Sequence, residues 1–287
     1  MVLGLAFIIV MAVAFYACSE TTSIPYLAVP YTPKDFDLAY EDVHFQSHDG
    51  LKLTGWFLPA PSPSEKTIII QHGLGSNAGD MLLNTLCLAR TGLWNLFYYN
   101  FRGHADSEGH LTSLGPLELK DLESAMAFIK EAKPEATRRL AIYGHSLGGA
   151  VAIVGAARHS ELEAVAAESP FTSTRRTVVR FAKVFYGVPE IPFIIVAFWL
   201  IRLRLGVSLL TFMPIEEIAN ISPRPFFLIH AERDMRMPTG DMVDLMAAAK
   251  EPKSMWTAVG ADHGEPLLVD KEGYESHLVE FFQKEFK

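Results

Sequence analysis

The sequence predicts an α/β domain, a mostly parallel sheet with helices on both faces. Three observations predict it. Short apolar, β-branched runs alternate with longer amphipathic segments through most of the chain, the pattern of repeated strand–helix units. Gly144-His145-Ser146-Leu147-Gly148 lies between a strand-like run, Leu140 to Tyr143, and a helix-like run, Gly149 to Ala157. The chain has 287 residues, 49% hydrophobic and 20% charged, enough for one large folded core.

The elements follow in chain order. Val2 to Ala17 carries no charged residue and ends at Ser19-Glu20. It is a little short of the ~20 residues of a spanning helix and a little long for a signal-peptide core, and no basic residue precedes it. The expectation is a hydrophobic helix that anchors the protein to a membrane. A cleaved signal, leaving a secreted or periplasmic enzyme, and a lipoprotein site at Cys18 are the alternatives. A buried helix is not expected, because nothing polar marks an outward face. Pro25, Pro30 and Pro33 make residues 21–34 an extended linker.

Asp42 to Gln46 and Leu51 to Leu58 flank Asp49-Gly50 and read as an antiparallel hairpin. Thr67 to Gln71 and Asn95 to Tyr99 read as buried strands, Gly79 to Arg90 as a helix. Pro116 to Ala132 places Leu119, Leu122, Ala125, Met126 and Ile129 on one helical stripe. Ala164 to Ala167, Phe226 to Ile229 and Met255 to Val259 continue the strands, with helices at Gly240 to Ala249 and Tyr274 to Phe286. The alternation breaks between Phe171 and Pro214, an apolar segment punctuated by arginines. The organisation is therefore an anchor or signal over residues 1–20, a linker over 21–34, and a domain over 35–287 with an insertion at about 171–214. Cys87 sits in an apolar helical run and reads as a core residue, and no disulfide is expected. The net charge of −8 argues against a nucleic-acid partner.

G-x-S-x-G between a strand and a helix is a nucleophile elbow, in which a strained turn lifts the serine hydroxyl clear of the sheet. A serine hydroxyl needs a base, and the base needs a carboxylate to orient it. Asp234 follows the strand Phe226 to Ile229, and His263 follows the strand Met255 to Val259. In a parallel sheet these loops share the carboxyl edge. Other histidines also sit near strand ends: His72, His104, His145 and His230. His145 lies inside the turn with its side chain expected to point away from the serine. His159 and His277 fall on helices. Glu168 is the main rival to Asp234 as the acid, alongside Glu232, Asp241 and Asp262; otherwise it is a hydrogen-bonding partner of a helix or loop. Gln71-His72-Gly73-Leu74-Gly75 follows a strand and supplies a tight loop, so the N–H groups of Leu74 and Leu147 are the expected oxyanion donors.

Elbow, acid, base and oxyanion loop in this order make the chain resemble the α/β-hydrolase superfamily from about Asp42 to Lys287. Tyr99-Asn100-Phe101-Arg102-Gly103-His104-Ala105-Asp106-Ser107-Glu108-Gly109 is similar to the Y-D-x-R-G-x-G-x-S-x-G loop of Bem46-like and other serine esterases, with Asn100 for the usual Asp and Ala105 for a usual Gly. The resemblance implies an eight-stranded sheet, a helical cap after the sixth strand, and hydrolysis of an ester, thioester or amide. It also implies a structural role for Arg102 as a side chain that locks its loop. The chemistry requires no metal and no organic cofactor. The expected substrate is a small acyl ester, lipid-like if the apolar cap is a lid. A peptidase or thioesterase on the same fold, and a catalytically silent binding protein, are the competing readings.

Overall fold

The protein is described here by a computed structural model covering residues 2–287. Its helices are α1 (Val2–Thr22), α2 (Ala78–Thr91), α3 (Pro116–Ala132), α4 (Leu147–Arg158), α5 (Thr174–Tyr186), α6 (Ile195–Leu205), α7 (Pro214–Glu217), α8 (Thr239–Ala248), α9 (Pro266–Val269) and α10 (Lys271–Glu285). Its strands are β1 (Glu41–Gln46), β2 (Lys52–Leu58), β3 (Lys66–Gln71), β4 (Asn95–Tyr99), β5 (Arg139–His145), β6 (Leu162–Glu168), β7 (Phe226–Ala231) and β8 (Lys253–Ala258). All eight form one sheet in the order β1-β2-β4-β3-β5-β6-β7-β8. The β1–β2 and β2–β4 pairs are antiparallel, and every later pair is parallel. This is the α/β-hydrolase fold.

The central strands are apolar on both faces because both are covered. Ile69, Phe97, Tyr99 and Ile142 pack beneath α3, α4 and α8. The alternate residues Ile68, Ile70, Tyr98 and Tyr143 pack beneath α2 and α10. Helix α2 starts where Asn77 accepts from Gly79 N–H, while Asp80 accepts from Asn77 N–H, a reciprocal capping box. Helix α4 lies close to the sheet because its residues are small. A Cβ at Gly155 would stand 2.4 Å from Leu122 Cδ2 of α3.

Between β6 and β7 the chain builds the cap, where α5 and the segment Glu190–Leu205 meet at 119°. Helix α1 is apolar enough to cross a membrane by length and composition. It is not free along its whole length. Leu3, Leu5, Phe7, Ile8 and Ile9 are exposed, but Ala14, Cys18 and Thr22 are buried. The expectation that α1 is not a buried helix holds, although one row of its second half is covered where α1 packs on α6. The stretch after it is extended and tied down. Ser23 bridges Leu111, Thr112 N–H donates to Thr22 C=O at 2.9 Å, and a short helical turn at Pro33–Phe36 ends the stretch.

Candidate active site

The site is assembled at the carboxyl edge of the parallel strands, where the turns after β3, β5, β7 and β8 meet. The turn after β5 is the sharpest. Ser146 holds φ 53° and ψ −112°, a left-handed conformation unusual for a non-glycine residue. Its neighbours must be glycine for reasons of space. A Cβ at Gly144 would lie 2.2 Å from Gly148 O, and one at Gly148 would lie 2.7 Å from both Gln71 O and His72 O. Ser146 N–H donates to Glu168 C=O at 2.8 Å, which ties the turn to β6.

The structure brings Ser146, His263 and Asp234 together. His263 Nε2 is 3.0 Å from Ser146 Oγ, and its Nδ1 is 2.6 Å from Asp234 Oδ2. The buried Asp234 uses its other oxygen to accept from the N–H groups of Arg236 and Met237, at 2.9 and 2.7 Å. Burial works to raise the Asp234 pKa, but the His263 hydrogen bond and charge and the Met237 N–H outweigh it and hold the carboxyl below its ordinary range. The carboxylate is thus positioned to orient Nδ1–H and leave Nε2 facing the hydroxyl. Leu74 and Leu147 line the same cavity beside Ser146, and a Cβ at Gly73 would stand 3.2 Å from Ser146 Cβ.

The other histidines weighed as bases or helix residues are engaged elsewhere. His72 Nδ1 lies 2.7 Å from Gly73 C=O and its Nε2 accepts from Phe101 N–H at 3.0 Å. His104 Nδ1 lies 2.9 Å from Arg102 C=O and its Nε2 accepts from Gly75 N–H at 3.2 Å. Each accepts on Nε2 and so donates from Nδ1, which makes both neutral. Burial depresses the pKa of both. Together they pin both ends of the Gly73–Gly75 loop. His230 Nε2 meets Thr239 Oγ1 at 3.0 Å, His159 meets Glu123, and His277 packs on Trp256.

His145 differs from expectation. Its ring packs 5.1 Å from the His263 ring and lines the cavity, so it backs the candidate base. Burial, then the neighbouring His263, press its pKa down to about 3. Glu168, the rival acid, is bonded to groups other than His263. It accepts from Tyr143 Oη at 2.5 Å and Tyr274 Oη at 2.8 Å, deep in the core, where burial raises its pKa. Glu232 accepts from Gly260 N–H, Asp262 from His263 N–H, and Asp241 pairs with Arg180. Arg102 forms a double contact with Asp121, 2.7 Å at Nη2, and reaches Asp49 at 2.8 Å, locking its loop. Asn100 Oδ1 accepts from Ala78 N–H, and Ala105 sits at φ 47°, a conformation a glycine adopts without strain.

The cavity above Ser146 has a volume of about 670 Å³, within the usual ~300–1,000 Å³ of small-molecule sites. Apart from the turns at the strand ends it is walled by Phe171, Val178 and Phe181 of the cap region, and by Val13, Tyr16 and Ala17 of α1. Sequence reasoning did not place α1 in the site. Its signal was the spacing of Val13, Ala17 and Thr21 on one helical face, hidden because the residues around them are equally apolar.

A strained serine at a strand–helix turn on this sheet defines a class, the hydrolases of the α/β-hydrolase fold. The family model described as serine aminopeptidase, S33, matches residues 62–193. An uncharacterized protein of Mycobacterium tuberculosis is 32% identical over 236 residues, covering 81% of this chain and 75% of that protein. The α/β-hydrolase domain-containing protein WAV2 of Arabidopsis thaliana is 26% identical over 268 residues, covering 89% of this chain and 82% of that protein. Among solved structures, the Pyrococcus furiosus esterase Pf2001 superposes with a TM-score of 0.76 at 27% identity, covering 92% of this chain and all of that one. The chain belongs to the α/β-hydrolase superfamily, as a serine hydrolase.

Proposed function

We propose that the protein hydrolyses carboxylic esters through Ser146, His263 and Asp234. The observation that carries this reading is the unbroken line of hydrogen bonds from Asp234 Oδ2 through His263 to Ser146 Oγ at the base of an apolar cavity. Ser146 Oγ attacks the ester carbonyl while His263 Nε2 takes its proton, and Asp234 stabilises the imidazolium. The Leu74 and Leu147 N–H groups hold the oxyanion. The tetrahedral intermediate collapses, His263 protonates the departing alkoxide, and the acyl group stays on Ser146. Water then attacks the acyl-enzyme with His263 again as base, releasing the carboxylic acid and restoring the serine. Each proton passes through His263, first from Ser146 to the departing alcohol and then from the attacking water back to Ser146. The likeness to an esterase supports the ester as substrate, and the apolar walls favour an acyl, lipid-like chain. The exposed apolar half of α1 supports attachment to a membrane.

The description of the matching family favours a second reading, cleavage of an amide in a peptide. One panel decides between them. p-Nitrophenyl esters of increasing chain length are assayed beside an aminoacyl p-nitroanilide and an acyl-CoA, with fluorophosphonate labelling of Ser146 in parallel. Turnover of esters with labelling is the expected result. Amide turnover exceeding ester turnover overturns the ester reading, and failure to label indicates a silent binding protein.

A further inference from the structure

Helix α1 presents three rows of residues over its second half. Ala14, Cys18 and Thr22 are spaced by four and buried. Cys18 belongs to one apolar cluster with Val178, Ala182, Ile194, Phe198 and Ile201 of the cap. The row is locked at its end, where Arg204 donates to Thr22 Oγ1 at 3.0 Å. The two adjoining rows, Ala12–Tyr16–Glu20 and Val13–Ala17–Thr21, line the cavity that contains Ser146 and His263. At one side of the cavity Tyr16 meets Tyr186 of α5 edge-on, with ring centroids 6.3 Å apart, and Tyr186 Oη donates to Glu20 at 3.4 Å.

A packing seam between a helix and a domain is filled by interlocking side chains. This one is open, and α1 turns Ala12, Val13, Tyr16 and Ala17 toward it while Leu3, Leu5, Phe7, Ile8 and Phe15 are exposed. The neighbouring cap also exposes large apolar residues. Ile191, Ile195 and Trp199 are exposed at a spacing of four. Exposed apolar residues of this kind on helices suit a lipid interface.

We propose that α1 is part of the substrate site as well as an anchor. Its Val13–Ala17 face is the wall that receives the acyl chain and sets its length, and the substrate is an amphiphilic ester whose chain passes from the bilayer along α1 to Ser146. This deepens the ester-hydrolase reading and rests on it. One consequence is that a chain cleaved near residue 20 loses a wall of its own site.

The test uses the full chain and two readouts. Wild type, Val13→Trp, Ala17→Trp and Tyr16→Ala are assayed on p-nitrophenyl acetate, octanoate and dodecanoate. Each is also titrated with alkyl fluorophosphonates of increasing alkyl length, a reaction at Ser146 that needs no turnover. Excluding one methylene from an apolar site weakens binding about fourfold. Each tryptophan variant is therefore expected to lower the dodecanoate-to-acetate ratio of kcat/KM at least tenfold, and the long-to-short labelling ratio with it. Tyr16→Ala, which adds no bulk, is expected to raise both ratios and keeps the test open if a tryptophan variant fails to fold. Labelling with a length profile unchanged in the variants overturns the wall and leaves the serine hydrolase intact. Absence of labelling in the wild type overturns the reading on which the wall rests.

Discussion

His263 Nε2 stands 3.0 Å from Ser146 Oγ, close enough to take its proton without a change of rotamer. Ser146→Ala is therefore expected to abolish fluorophosphonate labelling and lower kcat by at least ~10⁴-fold. The thermal midpoint should move little, since the hydroxyl faces the cavity. Retained esterase activity in this variant refutes the nucleophile.

The two buried acids near the site make opposite predictions. Asp234→Asn removes the carboxylate that accepts from His263 Nδ1–H, and kcat should fall by roughly 10³–10⁴ with the geometry intact. Glu168→Gln should leave kcat within about tenfold, because that carboxyl bonds Tyr143 and Tyr274 rather than His263. Steady-state kinetics of the pair decides which residue is the acid. A larger loss from Glu168→Gln than from Asp234→Asn reverses the assignment.

Gly148 meets backbone, not a yielding side chain. A methyl group there would sit 2.7 Å from the Gln71 and His72 carbonyl oxygens, so Gly148→Ala should lower stability by about 1–3 kcal/mol. It should also separate the turn from the Gly73–Gly75 loop and slow labelling of Ser146. A melting curve and a labelling rate matching wild type would show that the close approach is not required.

Buried neutral histidines make the fold sensitive to acid. The folded pKa of His145 is about 3 against an ordinary 6.5. As pH falls below about 6.5 the unfolded chain binds a proton that the folded chain refuses, so stability declines and continues to decline toward the folded pKa. By pH 5 His145 alone accounts for a loss of about 2 kcal/mol, and His72, also depressed by burial, adds in the same direction. Denaturant midpoints at pH 7 and pH 5 measure the decline. His145→Asn should reduce the slope by up to ~1.4 kcal/mol per pH unit, and a midpoint that rises on acidification contradicts the burial of neutral rings.

Much of the fold was legible because its signals are local. The helix Pro116–Ala132 and the strand Asn95–Tyr99 lie where proline, glycine and apolar periodicity place them. The serine turn was legible because only glycine fits beside it, and Asp234 and His263 because each follows a β-strand whose end must reach one sheet edge. The sequence favoured Asp234 as the acid but left Glu168 as a rival. Asp234 and Glu168 both end near strands of the same sheet, and only the packed structure turns one carboxyl toward His263 and buries the other against two tyrosines.

Chain order and residue type by themselves determined the sheet, the turn that strains Ser146 and the short set of residues able to serve it. These depend on φ/ψ limits, burial periods and turn chemistry within a few residues. Only the tertiary structure decided what surrounds them. It placed His72 and His104 as supports of the Gly73–Gly75 loop and His145 behind His263. It also brought one face of α1 into the cavity. An unbroken apolar run carries no mark of which side stays exposed and which meets protein, because the same side chains occur on both. The distinction arises only when the cap closes over Cys18 and leaves Val13 and Ala17 lining the space above Ser146.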